Sequence, residues 1–422
     1  KQIQGSCMKI KYIYIALLSM SNVWLAEADY NLKNLKGSAE VSLLSSDIYS
    51  TSLRVEVSDY MLLNLVESSN KFKVFIDGGT SIMNLGSPDL PKLSTSIVVP
   101  DDAKMNIIIT DAEYEDYDNV YIAPSKGNLT RDIDPATVPF IYNDTYKKNV
   151  FYPGTLAELD SPYILRDLRG QSVVFYPIQY NPTTKTLRVY SKIDIDIVAS
   201  EISNDNILSR DTGSIKINNE FMHIYSDLFI NSNNDTRFEY LYDEGEMLII
   251  CYDDFIDEMQ PFVDWKNKKG IYTEIVGINE VGSSVSSMQA YINNYYYENN
   301  LTYLLLVGDI NQIPTHIVNG AASDPSFGFI NGDDSFAEVI VGRFSANNPG
   351  ELLTQIERTL DYELGPELVD HLDNAVGIGS TQGPGYGGLS DDQFNDLLWN
   401  DFLSPFTYDN FEGIYDGGGS VA

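Results

Sequence analysis

The sequence predicts a β-rich domain followed by an α/β domain with a mostly parallel sheet. Between about 40 and 200, short apolar runs alternate with polar residues at a period of two and are broken by turn residues. That pattern marks antiparallel strands with one face on a core and one in water. From Glu246 the apolar runs become continuous and alternate with helical segments, as do strands buried on both faces of a parallel sheet. The length of 422 residues accommodates two or three domains of roughly 150 residues.

In the first half, Lys71–Ile76, Ser96–Pro100 and Met105–Ile109 read as short strands. The clearest hairpin runs from Val173–Tyr176 to Val198, turned by Asn181-Pro182-Thr183-Thr184; Leu187, Val189, Ile193, Ile195 and Ile197 alternate with polar residues on its return arm. Residues 201–245, rich in Asn, Asp and Ser, read as a linker. In the second half, Met247–Cys251 is an apolar strand, Asp253–Lys269 a helix stopped by Gly270, Ile271–Val276 a strand and Val285–Asn299 a helix. A strand at Thr302–Val307 and a loop-rich stretch follow, then a helix at Pro349–Glu363, a strand at Ala375–Gly379 and a helix near Ser390–Leu403. Such alternation implies right-handed crossovers. The last residues, Gly417–Ala422, form a glycine-rich turn, where an α/β sheet looks cut short.

Composition narrows the function. Hydrophobic residues make up 43% and aromatic residues 12%, which excludes disordered and collagen-like chains. Against 27 basic residues stand 61 acidic ones, a net charge of −34. This argues against nucleic acid as a partner, since phosphate binding needs a basic face, and leaves many carboxylates for hard cations such as calcium. The two cysteines, Cys7 and Cys251, exclude a disulfide framework. With three histidines, His223, His316 and His371, a multi-ligand Cys/His zinc site is disfavoured.

The N-terminus reads as an export signal. Residues 1–7 look like upstream translation; Met8–Lys11 is a basic start, Tyr12–Leu18 an apolar run, and Ala26-Glu27-Ala28 a small-x-small cleavage site. The expectation is upstream residues and a signal peptide over 1–28, cleaved after about Ala28, and a secreted or cell-surface protein. The alternative, a membrane anchor, suffers from an apolar run that is short and broken by Ser19, Ser21 and Asn22. No other stretch is long enough to span a bilayer.

Candidate chemistry begins at Gly308-Asp309, delivered to the carboxyl edge of the third parallel strand, where open α/β sheets bind ligands. Further on, Asp334, Phe336 and Glu338 fall on one side if that segment runs extended. With Asp309 they offer carboxylates to calcium, whose remaining oxygens backbone carbonyls can supply. By spacing alone a solvated acidic loop is the favoured reading. Gly377–Gln382 lacks the third glycine of a dinucleotide loop. Cys251 reads as a buried structural thiol and His316 as a loop residue without a partner, so no catalytic Cys–His or Ser–His–Asp set can be assembled.

Several stretches resemble the gingipain family of cysteine peptidases (peptidase family C25), which has a caspase-like fold and its own pro-domain. They are Phe262–Gly270, Leu301–Asp309 with Ile313-Pro314, Asn331–Glu338 continuing to Val341–Ser345, and Leu353–Thr359. The β half, with Pro91-Lys92-Leu93 and Tyr180-Asn181-Pro182, resembles the family's inhibitory pro-domain more loosely. The resemblance implies a β-rich pro-domain with linker at 29–237 and, at 238–422, the N-terminal part of an incomplete caspase-like α/β catalytic domain.

The resemblance also implies residue roles. Calcium would be held by Asp309, Asn331 (backbone), Asp334, Phe336 (backbone) and Glu338, reversing the preference for a solvated loop. Asp391, in Gly388-Leu389-Ser390-Asp391, would sit at the bottom of S1 and pair with a substrate guanidinium. Neighbouring Asp392 leaves the register open, and Ser390 with both aspartates also suits a helix N-terminus. Arg237 stands where such zymogens are cut. The family's catalytic His and Cys would lie beyond Ala422, so the chain is expected to be a fragment lacking the dyad. The implied function is a secreted cysteine endopeptidase zymogen acting on protein or peptide substrates after basic residues, arginine before lysine, and inhibited by its own pro-domain. The alternatives are a calcium-stabilised binding or adhesion protein on the same scaffold and, more weakly, a nucleotide-binding module.

Overall fold

The computed structural model describes residues 39–416 apart from 66–67, 131–132, 210–214, 233–239, 244, 366–371, 382–388 and 407. The expected signal peptide and the processing site at Arg237 lie outside the described residues. No helix among the described residues is long and apolar enough to cross a membrane.

The first half is built of two antiparallel sheets. One joins Ala39–Ser46, Ser50–Val57, Thr186–Ile202 and Ile178–Asn181, with Ala103–Tyr117 also paired to Thr186–Ile202. The other joins Thr80–Ser81, Pro91–Val98, Leu168–Phe175 and Ala157–Leu159, with Tyr163–Leu165 on Leu168–Phe175. The alternation in Thr186–Ile202 is realised as expected. Leu187, Val189, Ile193, Ile195 and Ile197 are all fully buried in a core shared with Ile97, Val173 and Phe175. Its other face carries cross-strand charge pairs, Arg54–Asp194, Arg188–Asp116 and Lys192–Asp111. Each contributes little stability at a surface, but together they favour one register.

Two expectations are corrected. The hairpin closes between Ile178–Asn181 and Thr186–Ile202, with Asn181 Oδ1 accepting from Thr183 N, whereas Val173–Phe175 belongs to the opposite sheet and pairs with Leu93–Thr95. Alternation alone cannot say which of two strands is the partner. The stretch taken as linker carries the helix Asn219–Leu228. Its Phe221 and Tyr225, one turn apart, and Phe229 beyond them pack on Val98, Tyr163, Leu165 and Leu168.

In the second half, four parallel strands lie in the order Tyr272–Gly277, Glu246–Cys251, Leu301–Val307, Ile340–Phe344. Leu248, Ile250, Leu304 and Leu306 pack on Met288, Ile292 and Tyr295 of the helix Val285–Glu298. Ile249, Cys251, Leu305 and Val307 pack on Met259 and Phe262 of Ile256–Lys268 and on Leu352 and Ile356 of Pro349–Leu364. Burial on both faces explains the unbroken apolar runs. The strand Ile340–Phe344 was hidden in the loop-rich stretch, because Gly342 and Arg343 break its apolar pattern. A separate parallel pair, Asn374–Gly379 with Asn410–Tyr415, is covered on one side by the helix Asp391–Leu398.

Two helices of this half are tied by Glu363, which accepts from Trp265 Nε1 at 2.7 Å and from Lys266 and Lys269. Burial opposes its ionisation, but these three donors outweigh it and hold the carboxyl at about 2, below its usual 4.5. A lowered folded-state value means the stabilisation is complete above about pH 4.5 and is lost as the pH falls toward 2. Glu363→Gln is therefore expected to lower the melting temperature at pH 7 and to flatten its decline between those pH values. Parallel melting curves for wild type and variant in acid would contradict this.

Candidate active site

The strand order places a topological switch between Glu246–Cys251 and Leu301–Val307, so the ligand crevice lies outside Cys251 and Val307. There Tyr252 N donates to Val307 O at 2.9 Å. Gly308 has φ +133°, and a Cβ on it would press against Ile313, Gln312 and Tyr252; the bend needs glycine. Arg343 braces the loop beyond, forming a bidentate pair with Asp324 at 2.7 Å and donating to Gly308 O and Ile313 O. Asp309 accepts from Ile310 N and Ser345 Oγ, which hold its carboxyl below the usual range.

Neither Cys251 nor His316 is set up as a reaction partner, as their sequence context led one to expect. Cys251 is fully buried, and burial with Asp253 and Glu258 nearby pushes its thiol up to about 12, the opposite of an activated nucleophile. His316, expected to lack a partner, instead bonds Gln289 Oε1 through Nε2 at 3.0 Å and packs edge-on against Phe327; burial lowers its pKa. Asp391 opens the last helix and accepts from Ser380 Oγ at 3.0 Å, just past the carboxyl end of Asn374–Gly379. Ser390 Oγ turns to Asp392. Asp391 and Asp392 are therefore separated in role: the former faces the strand end, the latter holds the helix start.

The acidic segment has a different environment from the one expected. Asp334 Oδ2 accepts from Ile164 N at 2.9 Å and Asn206 Nδ2 at 3.2 Å, and its Oδ1 from Phe336 N. Glu338, fully buried, accepts from Ile330 N and Asn331 N and, at 3.4 Å, from Arg166 N. Burial pushes its carboxyl up to about 7 in spite of those donors. The Phe336 ring stacks on Tyr163 at 3.8 Å. Asp309 is bonded instead to the Ser345 loop. Among the described residues no three His, Cys, Asp or Glu side chains group as a metal site. Asp309, Asn331, Asp334, Phe336 and Glu338 are thus not gathered as one calcium site in this arrangement: Asp309 is tied to the Ser345 loop, and Asp334 and Glu338 are each engaged by three N–H donors.

Ile164, Asn206 and Arg166, half of those donors, come from the β half, in a contact that the sequence did not announce. Tyr163–Leu165 and Leu168–Phe175 are joined by a turn whose Arg166 has φ +49°. The Tyr225 hydroxyl lies 3.2 Å from Leu165 O and accepts from Asp167 N, so the helix Asn219–Leu228 braces the turn. From it the Arg166 side chain enters the second half, donating to Leu301 O at 2.6 Å, Glu338 O at 2.7 Å and Asn300 Oδ1 at 2.8 Å. The adjacent Arg166-Asp167, between two short apolar runs, carried no signal in the sequence that would have found it.

Comparison with known proteins agrees with this two-part architecture. The C25 propeptide model matches residues 31–226 and the Peptidase family C25 model residues 240–412. Gingipain R1 of Porphyromonas gingivalis is 37% identical over 349 residues, which are 81% of this chain and 35% of that protein. The chain thus spans about a third of that relative's length. The complex of Porphyromonas gingivalis RgpB pro- and mature domains is 32% identical, covering 46% of this chain and 97% of that one, with a TM-score of 0.43. The Arg-specific cysteine proteinase gingipain R (RgpB) is 35% identical, covering 41% of this chain and 42% of that one, with a TM-score of 0.39. The two family models and the Gingipain R1 match establish that the chain belongs to peptidase family C25 and contains both its propeptide and peptidase regions.

Proposed function

We propose that this chain is the propeptide and peptidase portion of an exported cysteine endopeptidase zymogen that cuts after basic residues, arginine before lysine. The observation that carries the reading is the seating of the matched propeptide region on the matched peptidase region through Arg166. Its support for specificity is Asp391, an acidic side chain at the carboxyl end of a parallel strand, together with the Arg specificity of one relative. A guanidinium reaching that position would gain a charge-assisted, bidentate partner.

The thiolate that attacks the peptide carbonyl and the imidazole that protonates the leaving amine are supplied, in this reading, by residues of the gene product following Ala422. The burial of Cys251 and the Gln289 contact of His316 support that assignment. The propeptide keeps the enzyme latent until cleavage near Arg237. Residues 1–28 direct export. No step of this reading is drawn through calcium, since Asp334 and Glu338 take N–H donors in this arrangement.

The test is to express the gene product through the end of its peptidase domain and assay arginyl and lysyl peptides before and after the linker is cut. Cleavage after arginine that appears on cutting supports the reading. Absence of any peptide cleavage sinks it and favours a binding protein on the same scaffold.

A further inference from the structure

Arg166 is a charged side chain almost wholly removed from water, 3% exposed. Its guanidinium lies between the rings of Phe221, from the propeptide region, and Tyr296, from the peptidase region, at 4.9 and 5.5 Å. Three acceptors of the peptidase half, Leu301 O, Glu338 O and Asn300 Oδ1, receive its two terminal nitrogens. The main chain on either side is read as well: Ile164 N and Arg166 N, two residues apart as in an extended strand, donate to Asp334 and Glu338. Asn206 adds a second bridge, accepting from Asp333 N at 2.7 Å while its amide reaches Asp334. A buried charge costs heavily unless it is paired; three acceptors on the two terminal nitrogens, with Asp167 Oδ2 3.7 Å from Nε, suit this pocket to a planar guanidinium.

Its position matters more than its chemistry. Asn300 and Leu301 open the strand Leu301–Val307, and Glu338 precedes Ile340–Phe344. The pocket therefore sits at the amino edge of the parallel sheet, whereas the crevice at Gly308 is at the carboxyl edge. Seven residues of strand separate the two edges by roughly 20 Å.

We propose that the Asn300–Leu301–Glu338 pocket is an arginine-anchor site, separate from the ligand crevice, that retains the propeptide on the peptidase domain without the covalent linker. The inference rests on the propeptide–peptidase reading but not on catalysis. Retention and blockade of the crevice are then two functions on opposite edges of one sheet.

To test it, a recognition sequence for a specific protease is placed within 233–239 of the full chain, the chain is cut, and dissociation of the halves on dilution is followed by native mass spectrometry. The uncut propeptide should stay bound in wild type. Arg166→Ala should weaken retention at least about 30-fold, as expected for losing several hydrogen bonds to a charged group. Arg166→Lys should restore only part, because an ammonium does not match the planar fork. Asn300→Ala, which leaves the propeptide region untouched, should weaken retention in the same direction if Arg166→Ala misfolds its own half. Arg188→Ala, on the solvent face with Asp116, should change nothing. Halves that separate as soon as wild type is cut, or wild-type retention in both Arg166→Ala and Asn300→Ala, would overturn the anchor. Retention through Arg166 in a gene product that cleaves no peptide would leave the anchor standing and remove only the peptidase reading.

Discussion

Alanine at Asp391 is expected to lower kcat/KM for arginyl peptides roughly a thousandfold in the gene product carrying the whole peptidase domain, because a site built to bind a charged donor is left without its acceptor. Most of the loss should vanish when the substrate's basic residue is replaced by a neutral one, since those substrates never used the carboxylate. The stability cost should be small: within the described geometry Asp391 accepts from Ser380 Oγ at the surface end of a strand. Asp392→Ala is the discriminating control. Its carboxylate binds Ser390 at the helix start, so it should disturb the helix slightly and leave arginyl specificity intact. Equal losses in both variants, or a loss in Asp392→Ala alone, would move the specificity residue by one position.

The largest effect on stability is expected at Arg169. This side chain is fully buried in the β half, where its guanidinium donates to Pro100 O, Ala103 O, Asp205 O and Asn206 O at 2.7–2.9 Å. Arg169→Met fills much of the volume but takes the guanidinium donors away from four carbonyls around a fully buried side chain; about 3–5 kcal/mol should be lost. The change should be read from the urea midpoint of the β half, with amide exchange in Thr186–Ile202 as its local probe. Asn206 hangs from this arginine and also bridges to Asp333 and Asp334. Arg169→Met should therefore loosen the contact between the halves too. A loss below 1 kcal/mol would show that the carbonyls find other donors.

Periodicity and residue spacing determined much of this molecule. A period of two in Thr186–Ile202, with Leu187, Val189, Ile193, Ile195 and Ile197 fully buried, and unbroken apolar runs at Met247–Cys251 and Thr302–Val307 announce one-sided and two-sided burial, because each strand's own side chains record how many faces meet a core. Helices at 256–268, 285–298 and 349–364 likewise carry their own boundaries in Gly270, Ser284 and Asn348. Asp391 was placed through resemblance, and the strand end beside it is a local consequence of Asn374–Gly379. What lay outside the sequence pattern depends on pairs of distant segments. The opposite-sheet partner of Val173–Phe175, the helix inside the supposed linker, the Arg166 pocket and the N–H donors that Ile164 and Arg166 bring to Asp334 and Glu338 all join segments distant in the chain or hide in short polar stretches. A carboxylate's spacing says which face it shares with its neighbours on the chain; only the tertiary structure decides whether a cation or another segment's N–H reaches it first.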